Sequence, residues 1–455
     1  MRLVRELSKV TAKFDPPKAV EKVLDRTGEV AQKVVKTTRD VAERVDDRFD
    51  AAVDRVEKFV HTAVEKTQYA FAGATDALDS AIGKIESAVS GRVVHGPLAP
   101  VPHEQLKLKA DFRDLTRLEG IREGGGFSPV SLSELPLDRT YRVGTDRGRD
   151  AVLPSTGMKE QTPTGFIFDD EDQKTRDWYP QAVTTSADAD DVTGTVDGRK
   201  WVAVSWYSKT EPRSRITFVD HSQPGVPGSQ RYRHVELMVP DAKTGKLAPL
   251  KSHVGGVTWV GDLLYVAQTG GGIRVFDVRQ LLEVQDPSRV PEGTERYVLP
   301  QVGYYRVQAG PDEVSRPGEG SSPRFSGLSL DRTGDVPALI SQEYDGENPG
   351  GRIIRWELDP TTGRLKENAE GVVQASDAWA VPMTRVAGVV RLEDGFRIAT
   401  MGTPSNLFEA SEGKEPRRVD GLAQGIQQFS YDWTSKQVWT LAEHPGRRAV
   451  FAFDP

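Results

Sequence analysis

Cysteine is absent from the 455 residues. That excludes disulfides, thiolate catalysis and Cys-ligated zinc or iron–sulfur centres. The absence fits the cytosol, although exported proteins also do without disulfides. No apolar run approaches the roughly 18–20 residues of a membrane-spanning helix. Asn-x-Ser/Thr sequons are missing. The opening Met1-Arg2-Leu3-Val4-Arg5 has basic residues with no apolar stretch behind them, so no secretory signal peptide is read. The expectation is a cytoplasmic protein by default, with unconventional export left open. A basic excess is lacking too. Lys and Arg number 60 against 67 Asp and Glu, a net charge of −7, which argues against a general nucleic-acid binder.

What is present divides the chain. Charged residues make up 28% and hydrophobic residues 37%, an ordinary balance. The length suffices for two or three domains, or for one large repeat domain with an extension. From 18 to 89 proline vanishes, and small or apolar residues recur at steps of three and four. Val20, Leu24, Thr27, Ala31, Val34, Val41, Val45, Phe49, Ala52, Val56, Phe59 and Ala63 illustrate the stripe, whose period is helical. Gly28, Gly73 and Gly83 weaken such a helix and offer places to fold back. A lone helix cannot bury this stripe, so residues 18–89 are expected to pair with themselves, a protein partner, the rest of the chain or a lipid surface.

Residues 91–136 carry Gly, several prolines and no periodicity, the pattern of a linker and irregular segment. Within them 105–118 reads as a short helix. From 181 onward, β-rich runs alternate with turn residues. The plainest unit is 253–278: His-Val-Gly-Gly-Val-Thr-Trp-Val, a Gly261-Asp262 turn, Leu-Leu-Tyr-Val-Ala-Gln, a second turn, then Ile-Arg-Val-Phe-Asp-Val. Four further units align with it, beginning near 182, 325, 386 and 426. Turns at 331–334, Asp394-Gly395 and 432–436 keep the register. The last unit ends after three strands, and an unpaired edge must be closed. The strand near 139–145 is expected to close it, with 165–168 as runner-up.

In architecture this repeat resembles a five-bladed β-propeller, a fold shared by tachylectin-type lectins and arabinanase-like glycosidases. The resemblance rests on meander spacing; WD and kelch signatures are absent. The N-terminal stripe is similar in periodicity to apolipoprotein-like and phasin-like helices. The expected fold is therefore mainly β: a helical region at 1–90 (coiled coil or hairpin), the linker at 91–136, and a propeller at 137–455.

In an antiparallel meander, first strands start and second strands end on one face. Asp188, His253, Arg324, Arg385 and Gln424 are expected there from first-strand starts. Gln268, Glu343, Tyr344, Glu443 and His444 are expected from second-strand ends, beside Tyr207. Such a polar ring suits a ligand or partner. Trp206, Tyr207 and Tyr344 could stack on sugar rings or pack internally. For catalysis, Glu343 with Glu443 could form the carboxyl pair of a glycosidase, and His253 or His444 a general base. Asp188, Asp190 and Asp191 resemble a hard-cation loop able to take calcium, or a plain acidic turn. His61, His95, His103, His221 and His234 show no metal-ligand spacing. The leading expectation is a non-enzymatic binding or scaffolding protein, with a glycosidase-like hydrolase and a peripheral lipid-surface protein as alternatives.

Overall fold

The structure, a computed structural model, describes residues 96–144, 164–241, 243–308, 322–345, 351–402 and 405–455. The stripe expected at 18–89 lies outside them. Within the described residues the chain is mainly β. Its strands form four sheets in which five antiparallel meanders can be followed, the first two joined through a parallel pairing of Glu236–Met238 with Val298–Pro300. The first comprises Trp178–Thr185, Trp201–Ser208, Ser214–Asp220 and Arg231–Asp241. The second comprises Val257–Val260, Leu263–Gln268, Gly272–Asp277 and Tyr297–Val307. Gly327–Asp331, Ala338–Gln342, Arg352–Glu357 and Asp377–Ala380 form the third. Val386–Leu392, Gly395–Thr400, Ser405–Ala410 and Arg417–Leu422 form the fourth. Ser430–Asp432, Gln437–Ala442 and Ala449–Phe453 begin the fifth.

Both faces of these sheets are covered, which explains the near-continuous apolar runs. Trp201–Ser208, WVAVSWYS, is buried at seven of its eight positions. Five apolar cores lie between successive meanders. Phe218 of the first meets Trp259 and Leu264 of the second, and Tyr265 and Ile273 of the second meet Leu328 and Trp356 of the third. Ile340 and Ile353 of the third meet Val389 and Phe408 of the fourth. The fourth packs on the fifth through Val390 and Phe429, and the fifth returns to the first through Leu441, Val450 and Trp206. Each such side chain contributes roughly 1.5–3 kcal/mol by leaving water.

The five first strands pack in cyclic succession. They approach so closely that side chains would clash. A Cβ on Gly256 would lie 2.6 Å from Leu328 N, and one on Gly388 would lie 2.9 Å from Phe429 N. The Gly-Gly of the most legible repeat unit is thus a demand of backbone contact. At the centre the Gln428 carboxamide joins three elements. Its Oε1 accepts from Val257 N at 2.7 Å. Its Nε2 donates to Val183 O at 3.0 Å and to Val257 O at 2.6 Å.

Three expectations change. The last strand pairs directly with Thr164–Ile167, the runner-up, in the register Val450 to Phe166 and Ala452 to Thr164. Arg142–Val143 adds outside that strand, whereas Arg139–Thr140 pairs with Arg231–Tyr232 of the first meander. The described part of 139–145 is therefore two short outer pairings, because Thr164–Ile167 takes the place beside the last strand. The described part of 91–136 is not a linker. Ala99–Pro100 pairs with Trp379–Ala380, Lys107–Asp111 bridges Tyr304–Val307 and Val372–Gln374, and Phe127–Pro129 pairs with Leu282–Val284. These additions cover edges that would otherwise invite pairing. The short helix runs Arg113–Glu123 rather than from 105, since the preceding residues are taken up by the strand.

Replacing Gln428 with Leu removes three hydrogen bonds and leaves buried backbone groups unpaired. The expected loss is about 3 kcal/mol or more, read as a lower urea midpoint at unchanged m-value.

Candidate functional site

The residues expected on the strand-start face fall into local groups. Gln268 is engaged within its own meander: its Oε1 accepts from Arg274 Nε at 2.7 Å and from the Tyr304 hydroxyl at 2.8 Å. Glu343 is buried, and its carboxylate forms a two-point pair with Arg352 at 2.8 and 3.0 Å. It also accepts from the backbone N–H groups of Arg324 and Arg352. The Arg324 main chain is thereby fixed, with its Nε buried. Tyr344 is exposed nearby, and its N–H donates to Ser326 Oγ at 3.2 Å. Arg385 has a φ of +58° and donates its N–H to Asp345 O. Gln424 Oε1 accepts from Arg447, and the His444 ring lies over Gly425.

Three of the expected residues do come together. The His253 ring packs against Tyr207 with centroids 4.3 Å apart and planes tilted by 40°, and Tyr207 lies 6.1 Å from Tyr179. Lys209 Nζ sits 3.6 Å from the Tyr179 centroid, within cation–π range. Glu443 accepts from Gln181 Nε2 at 2.7 Å and lies close enough to act electrostatically on Tyr207 and His253. Burial, followed by that charge, pushes the Tyr207 phenol above its ordinary range. The result is a partly exposed aromatic strip between a carboxylate and an ammonium. Trp206, one position away, points to the opposite side and is fully buried.

Asp188 does not belong to this face. It follows the end of Trp178–Thr185, in the short helix Ser186–Ala189, where first strands turn into second strands. It is 1% exposed. Its Oδ2 accepts from Thr184 Oγ1 and Ser430 Oγ at 2.6 and 2.7 Å, while Oδ1 is buried and unpartnered. Burial pushes its pKa up to about 6, against the two hydroxyl donors. Asp190 accepts from the N–H groups of Val192 and Thr193, and Asp191 pairs with Arg332 at 3.3 Å. The three carboxylates are thus directed to three different partners. Ser186 Oγ donates to Gly194 O.

A second place was not anticipated. A cavity of 290 Å³ opens beside Trp178 and Arg215. Its floor is the buried Asp172 carboxylate from the helix Asp170–Lys174. Asp172 accepts from Arg215 Nη2 at 2.9 Å, the Tyr232 hydroxyl at 2.5 Å and His234 Nε2 at 2.9 Å, and pairs with Arg139 Nε at 3.2 Å. His234 Nδ1 meets the Thr217 hydroxyl at 2.7 Å. Both histidine nitrogens are therefore engaged, and burial keeps the imidazole neutral by lowering its pKa. Burial opposes the charge on Asp172, yet the hydrogen bond from His234 and the guanidiniums of Arg215 and Arg139 outweigh it and hold the carboxyl well below its usual range. The sequence signal was present: Arg215 and Thr217, and Tyr232, His234 and Glu236, place polar groups at every second position of adjacent strands. Arg448, fully buried, links the two places by donating to Trp178 O and Glu443 O.

No protein-family model matches the chain, and no curated protein matches it.

Two outcomes are expected. Between pH 4 and about 6 the folded chain holds a proton on Asp188 that the unfolded chain releases. Its contribution therefore falls as pH rises through that window and is level above it. Asp188→Asn should flatten this slope and gain up to about 3 kcal/mol at pH 7, measured by urea unfolding against pH. Glu343→Gln breaks the buried two-point pair with Arg352 and should be destabilising, by up to roughly 3–5 kcal/mol, seen in the same assay.

Proposed function

We propose that residues 137–455 form a five-bladed β-propeller and that the protein is a non-enzymatic binding or scaffolding protein. Its strand-start face would receive a ligand or partner. Residues 18–89 would mediate assembly or anchoring. The cyclic packing of five first strands supports the propeller. The strip of Tyr179, Tyr207 and His253 between Glu443 and Lys209 carries the binding reading. Aromatic rings with a polar handle, half out of water, supply contact area at low entropic cost, and flanking charges of both signs fix orientation.

The hydrolase alternative needs two carboxyl groups poised for proton transfer. Glu343 is held by Arg352 and two backbone N–H groups, an arrangement that engages both carboxylate oxygens in structural bonds. Glu443 alone does not supply the pair.

A photo-crosslinking residue placed at Tyr207 in the full chain tests the reading in cells. The expected result is one adduct of defined mass whose yield falls with His253→Ala or Glu443→Gln. The same probe at Val192, an exposed residue on the opposite face, should not give it. No adduct at 207, or the same adduct from both positions, contradicts the proposal.

A further inference from the structure

We infer that the cavity beside Trp178 is a second binding site, distinct from the aromatic strip, and that it takes a neutral polyhydroxyl ligand: one sugar residue, free or at the end of a glycan. The argument begins with the lining. Three guanidiniums, from Arg139, Arg215 and Arg233, face four carboxylates, from Asp138, Glu171, Asp172 and Glu295. A phosphate or carboxylate entering this space meets more negative than positive charge. An ammonium group meets three guanidiniums. A hydroxyl both donates and accepts, so a ring of hydroxyls satisfies both sets without carrying a charge into the cavity.

The floor is rigid before any ligand arrives. Asp172, Arg215 and His234 are all more than nine-tenths buried and bonded to one another. A pre-formed polar array loses little entropy on binding. Arg215 retains unused capacity at Nη1, which lies 3.8 Å from Glu295 Oε1, beyond hydrogen-bond length. Glu295 and Glu171 stand at the mouth, with side chains 35% and 80% exposed, so accessible acceptors lie beside the buried Asp172–Arg215–His234 array. One apolar element interrupts the polar lining. The Trp178 indole carries the Arg215 guanidinium 4.2 Å from its centroid, and the part of the ring that stays uncovered gives apolar contact for the C–H groups of a sugar. At 290 Å³ the cavity sits at the lower edge of ligand pockets, which run from about 300 Å³ upward. That suits one ring with its neighbour left in solvent.

The test uses the full chain and four probes, D-glucose, D-galactose, D-mannose and N-acetyl-D-glucosamine, in saturation-transfer NMR and calorimetry. Inorganic phosphate and ethanolamine serve as charged comparators. The expected result is saturable binding of at least one sugar, weakened about tenfold or more by Trp178→Ala and by Glu295→Gln, with little dependence on salt. Glu295 is a rim residue, so Glu295→Gln decides if Trp178→Ala lowers the melting temperature. Binding by none of the four sugars overturns the inference, as does tighter binding of phosphate or ethanolamine. So does sugar binding that withstands Glu295→Gln. Sugar binding lost only with Tyr207→Ala would also overturn it, and would assign the sugar to the strip instead. Failure here leaves the crosslinking result at Tyr207 untouched, so the two readings are separable.

Discussion

The Gln428 carboxamide is the constraint on which the rest depends. It lies where first strands from different meanders converge, and there it does what no ladder hydrogen bond can do. It gives Val257 an acceptor and a donor and gives Val183 a donor at the same time. Strands that meet at an axis diverge too quickly to pair along their length. Their inward backbone groups must be satisfied by side chains, because buried unpaired amides are costly. Thr184 plays a lesser part in the same way, its Oγ1 accepting from Trp259 N at 3.2 Å. Glycines at 256 and 388 then permit the close approach.

Fixing the centre fixes both ends of the first strands. At one end, Gln181 is held against Glu443, and the Tyr207–His253 pair is built beside them. At the other end, Asp188 is drawn into the interior with one oxygen unpartnered. That local cost lies away from the aromatic strip. Arg448 extends the same logic outward. A fully buried cation tied to carbonyls of Trp178, Glu443 and Asp172 places the strip and the cavity in fixed relation.

Much of this was legible in the chain. The five meanders could be read from turns such as Gly261-Asp262 and from apolar runs such as WVAVSWYS, because strands covered on both faces need no alternation. His253, Tyr207 and Glu443 could be placed on one face because antiparallel order alone dictates it. Asp188 lies away from that face for a local reason: it follows the strand Trp178–Thr185 instead of preceding it, and the residue types near 182–186 do not distinguish the two ends. Glu343 looked catalytic because its partner Arg352 is nine residues away across a hairpin, a pairing that strand register reveals and residue type does not. The Asp172 cavity was missed because its members come from 139, 172, 215 and 234, and only the pairing of Thr164–Ile167 with the last strand brings the 170–174 helix beside the first meander. Segment 91–136 reads as a linker because the strands in its described part are short and pair with distant partners, leaving no periodic signature.

The most direct test is native-state hydrogen exchange at the Val257 amide. If Gln428 is the central constraint, this N–H is released only when the whole fold opens, and its protection should equal the global unfolding free energy. In Gln428→Leu the protection at Val257 should drop further than the protection of core amides in the outer strands. Exchange at Val257 as fast as in the edge strand Arg142–Val143, or unchanged by the substitution, would contradict the account.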